Sequence, residues 1–296
     1  MTAPQGFSLQ IIGERINPGF KSTKALFDNE DIAGIQALAI KQADAGAKYL
    51  NVNIGARALT DPGFMATVIR AIQEVVAIPL SFDFPSADVQ KVCLEAYDRA
   101  KAGGADPIVN SITEHRWDLM DLYRTHGPFK VILMASERVE DGQAKGNKTA
   151  QEIYGTARRC ALRLRDEYGV PPSDIFLDMS GSAIIADPPG LNRAPLDEVA
   201  MIGADADLKG VHMMGGLSNI GQQLPPKAAD GSDLKHTLEC AFLTIANPLG
   251  FDTVLGTPWR GYHALPDENY VLGAYRNFLE QSGSNALRAV RKFYKA

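Results

Sequence analysis

The chain has 296 residues, of which 45% are hydrophobic and 22% are charged, and its formal net charge is −5. A chain of this length suits one α/β barrel with a sizeable core, and its acidic balance argues against nucleic acid as a partner. No apolar run approaches the ~18 residues of a membrane span, no signal peptide is visible, and the three cysteines follow no pairing pattern, so we expect a cytoplasmic protein.

Strands and helices alternate along the chain. Apolar segments bounded by turn residues predict buried strands over 9–16, 49–55, 79–84, 107–113, 130–136, 174–179, 209–217 and 252–256. Helical periodicity follows each strand, over 31–47, 62–77, 87–102, 117–126, 149–168, a segment ending near Asp207, 233–246 and 268–281. Asp61 is the expected N-cap of the second helix, residues 137–148 are expected to be a polar loop, and residues 284–296 to be a basic closing helix.

Eight strand–helix units in strict alternation predict a parallel sheet, and eight strands close a barrel. No glycine-rich dinucleotide fingerprint follows any strand, which disfavours an open doubly wound sheet. The sequence therefore predicts a single (β/α)8 barrel domain over 1–296, with its core at about 9–281.

In such a barrel the active site lies at the C-terminal ends of the strands. The polar residues at those ends, in strand order, are Glu14, Arg15, Asn17, Asn51, Asn53, Arg57, Asp83, Asn110, Ser111, Asp178, Ser180, Ser182, Ser218, Asn219 and Gln222. Carboxamides dominate this set, which favours a site for a flat heterocycle.

Two carboxylates of the set, Asp83 and Asp178, end otherwise apolar strands, and a buried carboxylate needs a partner. Either a protein cation such as Arg15 or Arg57 pairs with each of them, or a ligand rich in N–H donors does so. An amino-pyrimidinone edge offers two parallel N–H groups to a carboxylate, as a guanidinium fork does.

The segment 211–224 passes from an apolar run into glycines, Ser218, Asn219 and Gln222. This pattern predicts a strand whose polar end opens into the site, where Asn219 offers a donor and an acceptor without a charge. The competing interpretation is a glycine-rich loop with a surface asparagine.

Other chemistries lack their sequence signals. The five histidines form no metal-binding pair, the cysteines form no zinc cluster, and neither a nucleophile elbow nor a phosphate-binding loop is present. His212 lies inside a strand and is expected to be a satisfied core residue. We therefore expect no protein-bound metal, and an enzyme that works by positioning two bound partners.

Six short motifs occur in order at these strand ends: Gly13-Glu-Arg-Ile-Asn17, Leu50-Asn-Val-Asn-Ile-Gly55, Asp83, Val109-Asn-Ser-Ile112, Leu177-Asp178 and Gly216-Leu-Ser-Asn-Ile220. Over nearly the whole chain, roughly Leu9 to Gln281, the sequence resembles the pterin-binding methyltransferases. These include the methyltetrahydrofolate:corrinoid protein methyltransferases and the folate domain of cobalamin-dependent methionine synthase.

The resemblance implies roles for individual residues. Asp83, Asn110 and Asp178 would hold the pyrimidine edge of the pterin, and Asn53 and Gly55 would form part of its floor. Glu14 and Asn17, from the first motif, belong to the same substrate-binding set. Asn219 would face the ring nitrogen that carries the methyl group, with Ser218 and Gln222 nearby.

The resemblance also implies tetrahydrofolate or methyltetrahydrofolate as substrate, with the corrinoid (cobalamin) free or supplied by a partner. That partner would be a corrinoid protein or a corrinoid-bearing methyltransferase, because this chain lacks a D-x-H-x-x-G segment for a lower cobalt ligand. The family resemblance also implies a homodimer. Neither the cellular direction of transfer nor the upstream methyl donor follows from the sequence.

The chain departs from the family pattern in two places. Asp83 is followed by Phe84-Pro85 instead of a small hydroxyl residue, and the segment 256–263 is longer and more aromatic than expected. Dihydropteroate synthases share the fold but usually carry an Arg-x-His motif in strand eight, whereas Arg260 and His263 are separated by two residues here. Pterin condensation of that type and non-catalytic folate binding are the alternatives to methyl transfer.

Overall fold

The computed structural model describes residues 7–179, 183–186 and 193–295. Eight parallel strands close into a barrel in the order β1-β10-β9-β8-β5-β4-β3-β2, which confirms the predicted (β/α)8 fold. The barrel strands are β1 (Gln10–Ile16), β2 (Tyr49–Val52), β3 (Leu80–Asp83), β4 (Ile108–Ile112), β5 (Lys130–Met134), β8 (Ile175–Asp178), β9 (His212–Gly216) and β10 (Phe251–Gly256).

Helices surround the barrel. The described helices are α1 (Lys21–Asp28), α2 (Ile32–Asp44), α3 (Arg57–Thr60), α4 (Pro62–Gln73), α5 (Ala87–Ala96), α6 (Asp121–His126), α7 (Ala150–Tyr168), α8 (Ala194–Ala204), α9 (Leu234–Ala246), α10 (Tyr270–Leu279) and α11 (Gly283–Arg291). None of them combines the length and the apolarity that a bilayer crossing requires.

Side-chain caps explain where several helices begin. The Asp61 carboxylate accepts a hydrogen bond from Phe64 N at the start of α4, as predicted. Thr149 and Glu152 form a reciprocal capping box at the start of α7. Each cap pairs an amide group that a helix would otherwise leave unbonded, so the boundary is set locally.

The barrel interior and the helical layer form two apolar regions. Ile12, Tyr49, Ile108, Ile132, Phe176 and Met214 pack inside the barrel, and a larger core lies between the strands and the helices. His212 also lies at this inner layer, where its ring stacks on Phe176 and its Nδ1 lies 2.7 Å from Asp252 Oδ2. It is the satisfied residue that the sequence predicted.

The sequence interpretation was wrong in four segments. Residues 137–148 contain a hairpin, β6 (Glu137–Glu140) and β7 (Gln143–Gly146), in place of the predicted polar loop. Its strands are short and largely exposed, so they carry no buried apolar alternation. The predicted helix over 87–102 ends at Ala96 and resumes as a 3-10 turn, and neither α1 nor α3 was predicted.

Candidate functional site

A cavity of about 420 Å³ opens at the C-terminal ends of β1, β2, β3 and β9, and we call it the strand-end cavity. It is lined by Glu14, Asn17, Gly19, Phe20, Asn51, Asp83, Gly216, Ser218, Asn219, Gln222 and Leu255. Six of the ten predicted site residues are among them. A barrel that gathers polar side chains from distant parts of the chain into one mouth is the arrangement that the strand-end rule predicts.

Asp83 is the carboxylate of this cavity. Asn51 Nδ2 and Asn53 Nδ2 each donate to its Oδ2 at 3.1 Å. Both asparagines come from β2 or its end, and β2 pairs with β3, so the register of two parallel strands brings the three side chains together. Among the described residues, Asp83 Oδ1 receives no hydrogen bond, which leaves it as an acceptor for a ligand.

The alternative of a protein cation beside Asp83 was wrong. The Arg57 guanidinium binds Glu30 Oε1 at 2.5 Å and Asp61 Oδ2 at 2.8 Å. The Arg15 guanidinium lies over the ring of Phe20, 3.8 Å from its centroid. Asp83 is therefore paired by neutral amides, and its charge is not neutralised by either arginine.

Asn110 joins the same hydrogen-bond network one layer below the cavity. Its Nδ2 donates to Asn51 Oδ1 at 3.2 Å, and Ser81 Oγ donates to the same oxygen at 3.3 Å. The backbone around it is held by Gln90 of α5, whose Nε2 lies 2.8 Å from the carbonyl oxygen of Phe84. The network fixes the amide of Asn51, and through it the orientation of Asp83.

Asn219 lies just beyond the end of β9, in a 3-10 turn over Leu217–Asn219, so the predicted strand is shorter than expected. Its Oδ1 accepts a hydrogen bond of 2.6 Å from Gln222 Nε2. With the two amides oriented in this way, Asn219 Nδ2 is the end that is left as a donor. Among the described residues, no acceptor binds Asn219 Nδ2, and the side chain lines the cavity.

Glu14 is a second, more deeply buried carboxyl group. Ser218 Oγ and Thr257 Oγ1 both donate to its Oε1 at 2.8 Å. Burial raises the pKa of Glu14, and the two hydroxyl hydrogen bonds and the Arg15 charge oppose that shift only in part. Glu14 thus links β1, the end of β9 and the loop after β10 at one wall of the cavity.

The remaining predicted residues have different positions. Asn17 lines the cavity, with its Oδ1 accepting from Gly19 N at 2.8 Å. Gly55 has a φ of 66°, a conformation that favours glycine, and its N–H donates to Asn53 Oδ1 at 2.7 Å. Asp178 ends β8 as predicted. Asn53, Gly55, Asn110 and Asp178 are not among the described residues that line the cavity.

Two polar groups of the sequence-derived set, Ser180 and Ser182, lie outside the described residues. Glu198, which is fully buried in α8, was not predicted from the sequence as a neighbour of Asp178. Burial, and next to it the charge of Asp178, raises the pKa of Glu198 well above its ordinary value.

Three further residues were not predicted to belong to the substrate-binding set. Asn51 was recognised only as a polar strand end, and it lines the cavity and donates to Asp83. Thr257 and Gln90 lie in a loop and a helix, where no strand-end rule applies. Because their roles come from tertiary packing, sequence periodicity carries no signal for them.

The sequence pattern of the pterin binding enzyme family matches residues 14–255. The chain belongs to the pterin binding enzymes. The match extends from Glu14 to Leu255, two residues that line the strand-end cavity.

The chain is also 24% identical to a methylcorrinoid:tetrahydrofolate methyltransferase of Eubacterium limosum over 254 residues, which is 84% of each chain. Among solved structures, the dihydropteroate synthase of Stenotrophomonas maltophilia has a TM-score of 0.58 at 16% identity, covering 86% of this chain and 89% of that one. The Yersinia pestis enzyme has the same TM-score and coverage at 15% identity. At these identities the two structures support the barrel fold alone.

Proposed function

We propose that this pterin binding enzyme transfers a methyl group between N5 of tetrahydrofolate and the cobalt atom of a corrinoid. The observation that carries the proposal is the Asn219 amide, which Gln222 fixes with its donor end unbonded in the same cavity as the Asp83 carboxylate. The similarity to the methylcorrinoid:tetrahydrofolate methyltransferase supports the same reaction.

The donor set of the cavity fits a reduced pterin. Both hydrogen bonds to Asp83 use Oδ2, so Oδ1 is the acceptor available to an N–H of the pyrimidine edge. Asp178 and Asn110 are proposed to complete the recognition of that edge, and Asn53 and Gly55 its floor. A carboxylate oriented by neutral amides binds N–H donors without first giving up an ion pair.

The cavity is large enough for the pterin but too small for the corrinoid. A volume of about 420 Å³ suits one bicyclic heterocycle, whereas a corrinoid macrocycle is several times larger than a pterin. A corrinoid supplies a cobalt atom that exchanges a methyl group with a nucleophile. We therefore propose that a corrinoid protein, or a corrinoid-bearing methyltransferase, presents it at the mouth of the barrel. The family resemblance alone supports the further proposal that the enzyme is a homodimer.

Asn219 is proposed to act on N5. A tertiary amine is a poor leaving group, so methyl loss from methyltetrahydrofolate requires N5 to be protonated or hydrogen-bonded in the transition state. Asn219 Nδ2 donates to that nitrogen, and the bond strengthens as charge develops, which lowers the barrier. Microscopic reversibility gives Asn219 the same role when tetrahydrofolate accepts the methyl group.

The groups after β10 do not favour a condensation of the dihydropteroate synthase type. Arg260 Nη1 binds the buried Glu239 Oε1 at 2.8 Å, so the guanidinium is engaged by a carboxylate. His263 lies with its Nδ1 3.9 Å from Cys240 Sγ, between a helix and a loop. Arg260 and His263 therefore do not form the joint Arg-x-His site that would bind a pyrophosphate.

A spectrophotometric assay tests the proposal. Protein, methylcobalamin and tetrahydrofolate are mixed, and we expect the methyl–cobalt absorption to decay in proportion to enzyme concentration. Asn219→Ala is the matched control and should slow the decay strongly. A protein that binds folate in a calorimetric titration but changes no cobalt signal in either direction, with free cobalamin or a corrinoid protein, would contradict the proposed function.

A further inference from the structure

Three metal-ligating side chains meet outside the strand-end cavity. His236 and Cys240 are one turn apart on α9, and His263 lies in the loop after β10. Cys240 Sγ is 3.8 Å from His236 Nε2 and 3.9 Å from His263 Nδ1, and the three potential ligand atoms all lie within 4.8 Å of one another. We call this group the helix–loop cluster.

The separations are close to those of a metal site. Zinc–sulfur and zinc–nitrogen bonds of about 2.3 and 2.0–2.1 Å in a tetrahedron place sulfur and nitrogen ligands about 3.5 Å apart. The observed sulfur–nitrogen distances exceed this by a few tenths of an ångström. The three ligand atoms lie within 4.8 Å of one another, and metal binding would draw them together chiefly by moving His263, which is exposed and lies in a loop.

In the metal-free protein, weak hydrogen bonds can join the three side chains. The Cys240 thiol lies at nearly equal distances from two imidazole nitrogens, and it can donate its one proton to His236 Nε2. His263 Nδ1 also lies 3.0 Å from the Gly261 carbonyl oxygen, so in the metal-free protein this nitrogen carries the proton. Metal binding would move that proton to Nε2 and replace this hydrogen bond.

We propose that His236, Cys240 and His263 bind a divalent transition-metal ion of the zinc type. Thiolate and imidazole ligands select such ions over magnesium or calcium. The exposed position of His263 leaves the fourth coordination position to water. The ion would join α9 to the 257–263 loop, and the expectation of no protein-bound metal is revised by this proposal.

Metal binding would release a proton at the helix–loop cluster. Cys240 is buried and would bind a metal ion as its thiolate, so the thiol proton leaves when the ion binds. The same loop contacts the cavity wall through Thr257 and Glu14.

A cobalt titration tests the site directly. The full-length protein is stripped with EDTA, desalted and titrated with CoCl₂, and we expect one equivalent to produce a thiolate-to-cobalt charge-transfer band with the visible bands of a tetrahedral ion. Added ZnCl₂ should remove both. Cys240→Ser should abolish the charge-transfer band, and His263→Ala should weaken cobalt binding at least about tenfold.

The controls separate this site from other thiols. Cys160→Ser removes a buried cysteine of α7, which α8 separates from α9, and it should leave the bands unchanged. Because Cys240 is buried and its variant is at risk of misfolding, the exposed His263 provides an independent variant. Absence of a charge-transfer band in the wild type, its persistence in Cys240→Ser, or wild-type cobalt affinity in His263→Ala would each overturn the proposal.

Discussion

Two regions of the molecule each contain a carboxyl group, and its hydrogen-bond partners differ between them. The regions are the strand-end cavity and the segment between α9 and the 257–263 loop. In the cavity, the Asp83 carboxylate is bonded by the neutral amides of Asn51 and Asn53. Behind the loop, the Glu239 carboxyl is bonded by Arg260, beside the helix–loop cluster.

The two regions therefore differ in the ligand that we propose for each, an organic molecule in the cavity and a metal ion at the helix–loop cluster. Amides orient an acceptor and leave a further lone pair for N–H donors, whereas ionisable groups buried side by side shift one another's proton affinity. Burial raises the pKa of Glu239 to about 7, partly opposed by the Arg260 charge. The predictions below test each half of this comparison.

The largest effect is expected from Asn219, the donor of the cavity. Asn219→Ala removes a preorganised hydrogen bond to N5, and the single-turnover rate at saturating folate should fall by about 10²–10³-fold. Asn219→Asp keeps the shape of the side chain but loses the Nδ2 donor, so it should lose rate similarly. A wild-type rate in both variants would reduce Asn219 to a binding residue and leave the cavity without its proposed catalytic group.

The pH dependence of stability in a Glu239 variant tests the region between α9 and the 257–263 loop. A carboxyl whose pKa rises from 4.5 to about 7 on folding contributes stability below pH 4.5, and this contribution is lost as pH increases through 7. Between pH 5 and pH 8, in EDTA, the free energy of unfolding should fall by about 2.5 kcal/mol more in the wild type than in Glu239→Gln. Urea denaturation measures this difference.

The control for Glu239 is Glu280→Gln, which changes an exposed carboxyl at the end of α10 and should follow the wild-type pH profile. Parallel profiles for the wild type and Glu239→Gln would mean that Glu239 has the same proton affinity in the folded and unfolded chains. The contrast between an amide-paired and a titrating region would then be lost.

Substitution of Asp83 tests whether this carboxylate binds the substrate. Asp83→Asn replaces a charged acceptor, and tetrahydrofolate affinity should fall by ~1.5–3 kcal/mol in a calorimetric titration. Asp252→Asn is a matched control, because Asp252 belongs to β10 but pairs with His212, away from the cavity. Equal folate affinity in Asp83→Asn and the wild type would remove Asp83 from the site.

The smallest effect is expected at Gln222, which orients Asn219 without being placed on the reacting atoms. Gln222→Met removes the 2.6 Å hydrogen bond to Asn219 Oδ1. Because Gln222 is exposed, kcat/KM should fall by an amount that corresponds to about 0.5–1.5 kcal/mol of transition-state stabilisation. We expect the loss mainly in kcat. An effect confined to KM would show that Gln222 contacts folate and does not orient the amide.

The two regions also differ in how far the sequence predicted them. Glu14, Asp83 and Asn219 could be assigned to one site because parallel barrel strands all end at the same face. The pairing of His236 and Cys240 with His263 could not, since it depends on how a loop folds back on a helix. For the same reason the sequence interpretation did not predict the amide network around Asp83, and it considered only an arginine or a ligand as the partner of this carboxylate.

A carbon-13 NMR measurement tests the proposed methyl transfer most directly. Methylcobalamin labelled in its methyl group is incubated with the protein and tetrahydrofolate. We predict a new N5-methyl resonance of methyltetrahydrofolate, formed at a rate proportional to enzyme and strongly reduced in Asn219→Ala. If the label stays on cobalt while folate binds with normal affinity, with a corrinoid protein also failing as donor, the account is contradicted.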